Sequence, residues 1–371
     1  MASKYPLVVY GISGYTGKII AEYLTREGIP FVAAGRSRDR IEAELKKVPG
    51  NHVVDIVACE HTEAALTKLF EGAQIVANVV GPFGQLAEPV IKAVLANKCH
   101  YLDTTGEPDY TLMLRDTYGA QFAANNTVAI SACASMWVTG MVAAEVALET
   151  PGIDSLDILY APRGNPTPAS TLSFLRMCCL PQLYKEDGVM KQWDPLAKFD
   201  VFVPGSHQIQ AAVPWGGGFE PIWFENDSRV RNCKVAVSFT SREVVNMVHS
   251  KIVEYHELAK TRSPAEMEDI TNAWGRAIAP DPDTLTREDP AIHRYMLSVM
   301  ARGNTVGKHL MFYINSGYLQ TGFLIAEASR RILIGRLKKV GYQAATAAFG
   351  HRELISALQE AGLWCQEPVG Y

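Results

Sequence analysis

Short apolar runs alternate with segments of helical period over the first third of the chain. Leu7-Val8-Val9-Tyr10 reads as a strand, and Lys18-Ile19-Ile20-Ala21-Glu22-Tyr23-Leu24 follows at helical spacing. Further strands are expected at Pro30–Gly35, His52–Cys59, Ala73–Val80, His100–Asp103 and Thr127–Ala132. Helices are expected at Glu63–Phe70, Glu88–Ala96 and Tyr110–Ala124. Strands that are apolar throughout, each followed by an amphipathic helix, predict an α/β fold with a doubly wound parallel sheet. Ligands of such sheets lie beyond the carboxyl ends of the strands.

The pattern changes after about residue 150. Asp154–Tyr160 and Lys234–Phe239 alternate as half-exposed strands do, and a Pro- and Gly-rich stretch lies between them. Tyr295–Met300 and His309–Ile314 read as a hairpin around Arg302-Gly303-Asn304. This predicts a second, α+β domain on a mainly antiparallel sheet. Residues 258–292, rich in Pro, Asp and Glu, read as an exposed insertion. Helical period returns at Thr321–Leu337 and Arg352–Glu360. The expected division is a first domain over 1–132, with helices of 318–371 packing back on it, and a substrate or dimerisation domain over 133–317.

With 371 residues the chain is long enough for two cores, and a net charge of −4 gives no reason to expect nucleic acid. The seven cysteines are scattered, without the CxxC or Cys/His spacing of a zinc site, so no metal is expected. Vicinal Cys178-Cys179 reads as a buried pair of thiols, and the whole as a reduced, cytoplasmic protein. The first strand begins too early for a signal peptide, and no apolar run reaches the ~18 residues of a membrane span.

Between the first strand and first helix stands Gly11-Ile12-Ser13-Gly14-Tyr15-Thr16-Gly17, with GxxGxxG spacing. Such a turn permits a tight exit from the strand, close approach of backbone to a pyrophosphate, and close helix packing. Gly11, Ser13, Gly14, Tyr15, Thr16 and Gly17 are therefore expected to bind a dinucleotide. The second strand ends in Gly35-Arg36-Ser37-Arg38, where an NAD site would carry an acidic residue for the ribose 2′-OH. Guanidinium groups fit a 2′-phosphate instead, so NADP(H) is expected on Arg36, Ser37 and Arg38. After the fourth strand, Gly81-Pro82-Phe83 occupies the place that contacts the nicotinamide ribose.

Hydride transfer to a double bond also needs a proton. Tyr101, Asp103, Tyr160 and Ser170 are the catalytic candidates; Arg163, Thr171 and Tyr318 are further side chains able to serve. Asp103 reads equally well as a helix cap through Asp103-Thr104-Thr105. His207, His249 and His293 read as surface or loop histidines. Trp193, Trp215, Phe219 and Trp223, beside Gly216-Gly217-Gly218, read as core packing or a pocket wall.

In order and spacing, four segments resemble the saccharopine dehydrogenase-like oxidoreductases, in particular their trans-acting enoyl reductase branch. They are Val9–Gly17, Ala34–Ser37, Asn78-Val79-Val80-Gly81-Pro82-Phe83-Gly84, and His100–Glu107. The resemblance implies a Rossmann-type fold and an NADP site that includes Asn78 and Val80. It thins at Cys133-Ala134-Ser135-Met136-Trp137-Val138-Thr139, which keeps the family's cysteine and lacks its acidic residue. The implied activity is an NADPH-dependent reductase acting on an activated C=C bond of a small apolar or acyl-like substrate. That substrate is expected beside Gly81-Pro82-Phe83, near Trp137, Tyr160 and Ser170. A C=N reductase of the saccharopine or opine type, with Arg163 and Arg176 contributing, and a non-catalytic NADP sensor are the alternatives. A homodimer is allowed for.

Overall fold

The computed structural model describes residues 5–48, 50–164, 166–203, 206, 208–216, 218–281, 288 and 292–367. The chain begins with β1 (Tyr5–Tyr10), α1 (Tyr15–Arg26), β2 (Phe31–Gly35), α2 (Arg38–Leu45), β3 (Val53–Ala58) and α3 (Glu63–Leu69). It continues with β4 (Ala73–Asn78), α4 (Phe83–Ala96), β5 (His100–Asp103), α5 (Pro108–Met113), α6 (Gly119–Ala124) and β6 (Val128–Ile130). Helix α7 (Ser135–Leu148) follows, and the chain divides within it, at Val138, into two compact units.

The second unit carries β7 (Ser155–Pro162), α8 (Pro168–Cys179), β8 (Leu183–Glu186), β9 (Val189–Gln192), β10 (Phe199–Phe202) and β11 (Ile209–Val213). Then come α9 (Phe219–Trp223), β12 (Asn232–Phe239), α10 (Arg242–Leu258), α11 (Pro264–Ile278), β13 (Arg294–Arg302) and β14 (Gly307–Asn315). The first unit regains the chain at α12 (Gly317–Leu333), β15 (Gly341–Tyr342), α13 (Ala345–Phe349) and most of α14 (His351–Glu360). Strand β16 (Trp364–Glu367) belongs to the second unit.

The first sheet has the order β15-β6-β5-β4-β1-β2-β3 and is parallel throughout. Its inner strands are apolar on both faces: every residue of β2 is buried, as parallel strands between helical layers require. Helix α4 starts at Phe83 rather than the expected Glu88 and runs through Pro89, with Phe83, Ala87, Val90 and Ile91 buried. The stretch expected as one helix over 110–124 is broken by a π-helical turn at Leu114–Tyr118. Helix α12 packs on α1, where a Cβ at Gly322 would lie 2.5 Å from Ile19 Cγ2.

The second sheet is mixed, in the order β10-β11-β12-β7-β13-β14-β16, with β8 beside β12 and β9 beside β8. All its pairings are antiparallel except β7 with β12. The expected hairpin is β13–β14, closed by Gly303 N–H donating to Val306 O at 2.8 Å. Two expectations need correction. Residues 258–292 do not form a wholly exposed insertion: α11 is helix, opened by a Ser263–Glu266 capping box, and buries Met267, Thr271 and Gly275. A Cβ on Gly275 would come 2.8 Å from Leu172 Cα, so α11 lies flat on α8. The end of the chain does not all return to the first unit, because β16 pairs with β14.

Candidate functional site

Gly11 leaves β1 with φ +96°, a conformation open to glycine and strained for other residues. A Cβ there would also lie 2.7 Å from Val80 Cγ2, so the turn after β1 packs against the turn after β4. Gly17 touches the Ile12 backbone, where a Cβ would sit 2.4 Å from the carbonyl oxygen. Gly14 differs. It is the N-cap of α1, without a side-chain cap, and a Cβ would meet only Gly11 O at 3.3 Å. The space in front of the helix N-terminus is a cradle that a side chain would fill, and the N–H groups of the first turn point into it. Ser13, Tyr15 and Thr16 are half-buried around it, and the Tyr15 ring meets Tyr318 edge-on at 5.2 Å.

At the tip of β2, Ser37 caps α2 by accepting the Arg40 N–H at 3.3 Å. Arg38 donates to Ile56 O at 2.6 Å and to Glu42 at 2.8 Å. Arg36 is exposed and makes no hydrogen bond among the described residues. Its guanidinium fork is available to a phosphate, while that of Arg38 is largely engaged. Next to it, Tyr10 OH meets His61 Nδ1 at 2.9 Å, and His61 Nε2 is covered without a partner. Sequence reasoning passed over His61 because it stands in a polar turn with no motif around it. Asn78 is buried and shapes the turn after β4, its Oδ1 accepting the Val80 N–H at 3.1 Å. Pro82 is the N-cap of α4, and Phe83 stacks at a tilt on Tyr110, 5.7 Å away.

Tyr101 and Asp103, two of the catalytic candidates, share one buried network. Asp103 Oδ1 accepts the Thr105 and Ala132 N–H groups at 3.0 and 2.8 Å, and Oδ2 accepts the Tyr110 hydroxyl at 2.9 Å. The Tyr101 and Tyr110 hydroxyls lie 2.8 Å apart, and Asn78 Nδ2 donates to Tyr101 at 3.1 Å. Since Tyr110 donates to a carboxylate, every donor in the chain Asn78–Tyr101–Tyr110–Asp103 points toward Asp103. Burial pushes the Asp103 carboxyl up to about 6 against the pull of its hydrogen bonds, and lifts Tyr101 and Tyr110 well above 10.0. The network ties β4, β5 and β6 together at their carboxyl ends. Trp137 is buried and donates its indole N–H to Thr105 O at 3.0 Å.

The other two candidates lie in the second unit. Tyr160, on β7, is fully buried and donates to Glu220 Oε1 at 2.5 Å. Burial raises the Glu220 carboxyl to about 8. Ser170 is half-buried in the first turn of α8, where the Thr167 hydroxyl donates to its oxygen at 3.1 Å. Arg176 is committed to the buried Glu107 carboxylate at 2.9 Å, which also accepts the Ser173 hydroxyl at 3.3 Å. Glu107, read with Asp103 as a carboxylate able to orient substrate or relay a proton, is instead held in this ion pair; Glu220 was not singled out, because nothing local distinguishes a glutamate that tertiary packing will bury.

The histidine expectation needs correction in two places. His293 is buried, and the ring of His249 meets Trp215 edge-on at 5.5 Å. Trp215 itself is core, packed on Phe174 and Phe239, whereas Trp193 stacks on Tyr184 at 4.3 Å. Asn165, Pro204, His207 and Gly217 lie outside the described residues. None of the seven cysteines is in a disulfide. Among the described residues there is no group of three or more His, Cys, Asp or Glu placed to hold a metal ion. No described helix is long and apolar enough to cross a membrane.

The cradle at Gly14 and the unengaged Arg36 fit a phosphorylated dinucleotide. A family profile described as "Saccharopine dehydrogenase NADP binding domain" matches residues 7–130. This part of the chain is an NADP(H)-binding domain of the saccharopine dehydrogenase type. The chain belongs to DUF5938, a family of unknown function whose profile matches residues 138–370. Relatives match about a third of the chain. A Caenorhabditis elegans protein named "lipid droplet localized protein" is 34% identical over 141 residues, 35% of this chain and 33% of that one. The human saccharopine dehydrogenase-like oxidoreductase is 32% identical over 130 residues, 31% of this chain and 30% of that protein. A Mycobacterium tuberculosis protein that bears the name trans-acting enoyl reductase is 31% identical over 135 residues, 35% of this chain and 32% of its own. The matched part thus spans about a third of the length of these curated relatives. In fold, the chain is similar to saccharopine dehydrogenase (L-glutamate forming) of Saccharomyces cerevisiae, with a TM-score of 0.63 and 12% identity over 99% of this chain and 100% of that one.

Proposed function

We propose that the protein is an NADPH-dependent oxidoreductase that reduces an activated C=C bond in a small apolar or acyl-like molecule. The observation that carries the cofactor half is the tip of β2, where Arg36 stands without a partner among the described residues and no carboxylate takes the ribose position. In this reading the α1 N-terminus and Ser13–Thr16 hold the pyrophosphate, Arg36 and Ser37 hold the 2′-phosphate, and Val80–Phe83 face the nicotinamide ribose. The bound cofactor supplies the hydride. The chain supplies the proton, with Tyr101, Asp103, Tyr160 and Ser170 as the proposed catalytic set.

The enoyl reading over C=N reduction is supported by the name of the mycobacterial relative and by Arg176. An imine reductase of amino-acid type wants free cations for carboxylates, and the Arg176 guanidinium is held by Glu107. Free cysteines support a reduced compartment, the cytoplasm, as the place of action. The test is NADPH consumption across a panel of enoyl-thioesters, enones and cyclic imines. Oxidation with enoyl acceptors is expected. Oxidation with imines alone would transfer the protein to the second class, and tight NADPH binding without any oxidation would make it a sensor.

A further inference from the structure

The buried network at Asp103 ends on backbone. Asp103 Oδ1 is taken by the Thr105 and Ala132 N–H groups, so Oδ2 is the oxygen that faces Tyr110. From there the hydrogen bonds run back through Tyr101 to Asn78, whose Oδ1 accepts the Val80 N–H at 3.1 Å. Val80 lies in the turn after β4, and that turn is fastened to the end of β1. Val79 N–H donates to Tyr10 O at 2.9 Å, and a Cβ on Gly11 would lie 2.7 Å from Val80 Cγ2. Asn78, Tyr101, Asp103 and Tyr110 are all 1% exposed or less, so a group that loses its partner here has no solvent to replace it.

The protons of this chain have one consistent order. A carboxylate at Asp103 accepts from Tyr110, Tyr110 accepts from Tyr101, and Tyr101 accepts from Asn78 Nδ2, which leaves Asn78 Oδ1 for Val80. A donor at the Oδ2 position reverses that order. Tyr110 then donates to Tyr101, Tyr101 donates to Asn78, and the amide turns its oxygen away from the backbone. Its Nδ2 comes to face the Val80 N–H, donor against donor. The charge on Asp103 is thus felt at the turn that abuts Gly11.

The groups that face Asp103 are Tyr101 on β5, Tyr110 on α5, Cys133 after β6 and Tyr342 on β15. Burial raises all four, so they stay protonated near neutral pH and supply no counter-charge. Arg115 and Asp116, which act on Tyr342, pair with each other at 2.7 Å.

We propose that Asp103 is a positioning residue of the cofactor site: through Tyr110, Tyr101 and Asn78 its carboxylate holds the Val80 turn in the conformation that takes NADP(H). This rests on the placement of that turn at the nicotinamide ribose in the reading above. The Asp103 carboxyl, at about 6, is ionised at pH 8 and largely protonated at pH 5. A proton on Oδ2 does there what an amide nitrogen does, so acid pH and Asp103→Asn should act alike.

Asp103→Asn puts a permanent donor at the Oδ2 position. Its Kd for NADPH, read by fluorescence titration, should rise about ten-fold at pH 8, the cost of a buried N–H without its partner. At pH 5 it should lie within about three-fold of the unaltered protein, which is then protonated itself. The ratio of the two constants at one pH cancels the titration of the cofactor's own 2′-phosphate. Tyr110→Phe cuts the chain and should weaken binding at pH 8 by a similar factor, which provides the measurement if Asp103→Asn does not fold. Asn78→Asp in the Asp103→Asn background offers acceptors to both Tyr101 and Val80, and should recover most of the loss. A merely structural Asp103 would make that double variant worse. Unchanged Kd at pH 8, a ratio that stays constant from pH 8 to pH 5, or no recovery in the double variant overturns the proposal. Hydrogen exchange of residues 79–85 should slow when NADPH binds. Exchange that NADPH leaves unaffected removes the placement of the turn and the proposal with it; slowed exchange without an effect of Asp103 removes the proposal alone. No acceptor enters these measurements, so they do not depend on which double bond is reduced.

Discussion

A Cβ on Gly17 would lie 2.4 Å from the Ile12 carbonyl oxygen, so helix α1 is seated directly on the turn that precedes it. Gly14, three residues earlier, has no such neighbour: its Cβ would meet only Gly11 O, at 3.3 Å. Two glycines of one motif therefore serve different ends. Gly14→Val should abolish NADPH binding with little change in Tm, because the new side chain fills the phosphate cradle. Gly17→Val should lower Tm by several degrees, because backbone has to move. Fluorescence titration with NADPH and thermal melts of both variants check this, and near-normal affinity in Gly14→Val would refute the placement.

Arg36 and Arg38 separate in the same way. Arg36→Asp should weaken NADPH binding about 10- to 150-fold, the worth of a hydrogen bond to a charged group, and should remove the preference over NADH. Arg38→Ala should change the preference much less, since its guanidinium is held by Ile56 O and Glu42. Dissociation constants for both cofactors decide the point; equal affinities in the unaltered protein would contradict it.

The donor chain that ends on Asp103 makes Asp103→Asn an unfavourable change despite its equal size. Tyr110 donates into Oδ2, and an amide nitrogen there would set donor against donor. The cost should be about 1–3 kcal/mol in urea unfolding. Tyr110→Phe in the same background should show strong non-additivity, because both side chains belong to one network.

Stability of the second unit should carry a pH signature from Glu220. Its folded-state value, about 8, lies above the ordinary glutamate value of 4.5. The folded state then binds the proton more tightly than the unfolded chain. The contribution is intact below about pH 4.5, declines as the pH rises through the window, and is lost above about 8. The full span is on the order of 5 kcal/mol. Glu220→Gln should flatten the slope, which denaturant unfolding at pH 5, 7 and 9 measures.

Ser170 tests the substrate half. Its hydroxyl lies in the first turn of α8, half-buried beside Thr167. Ser170→Phe should raise KM or lower kcat on the order of ten-fold or more, with NADPH affinity unchanged. Unchanged kinetics would remove this turn from the substrate site.

Local pattern by itself determined the parallel sheet, the Gly11–Gly17 turn, the basic tip at Arg36 and the β13–β14 hairpin. Each depends on residues close in sequence: apolar strands bounded by turns, glycines at fixed offsets, and the absence of an acid where a ribose hydroxyl would need one. The capping box at Ser263 and Glu266 was equally local and equally readable, yet the charged composition of 258–292 masked it. Tertiary structure alone decided the rest. Glu220 meets Tyr160 across 60 positions, and Arg176 meets Glu107 across 69. A glutamate destined for a dry interior carries the same local signature as one on the surface, because its burial is set by distant partners. The energy that sets its protonation comes from desolvation, which exists only once those partners have closed around it.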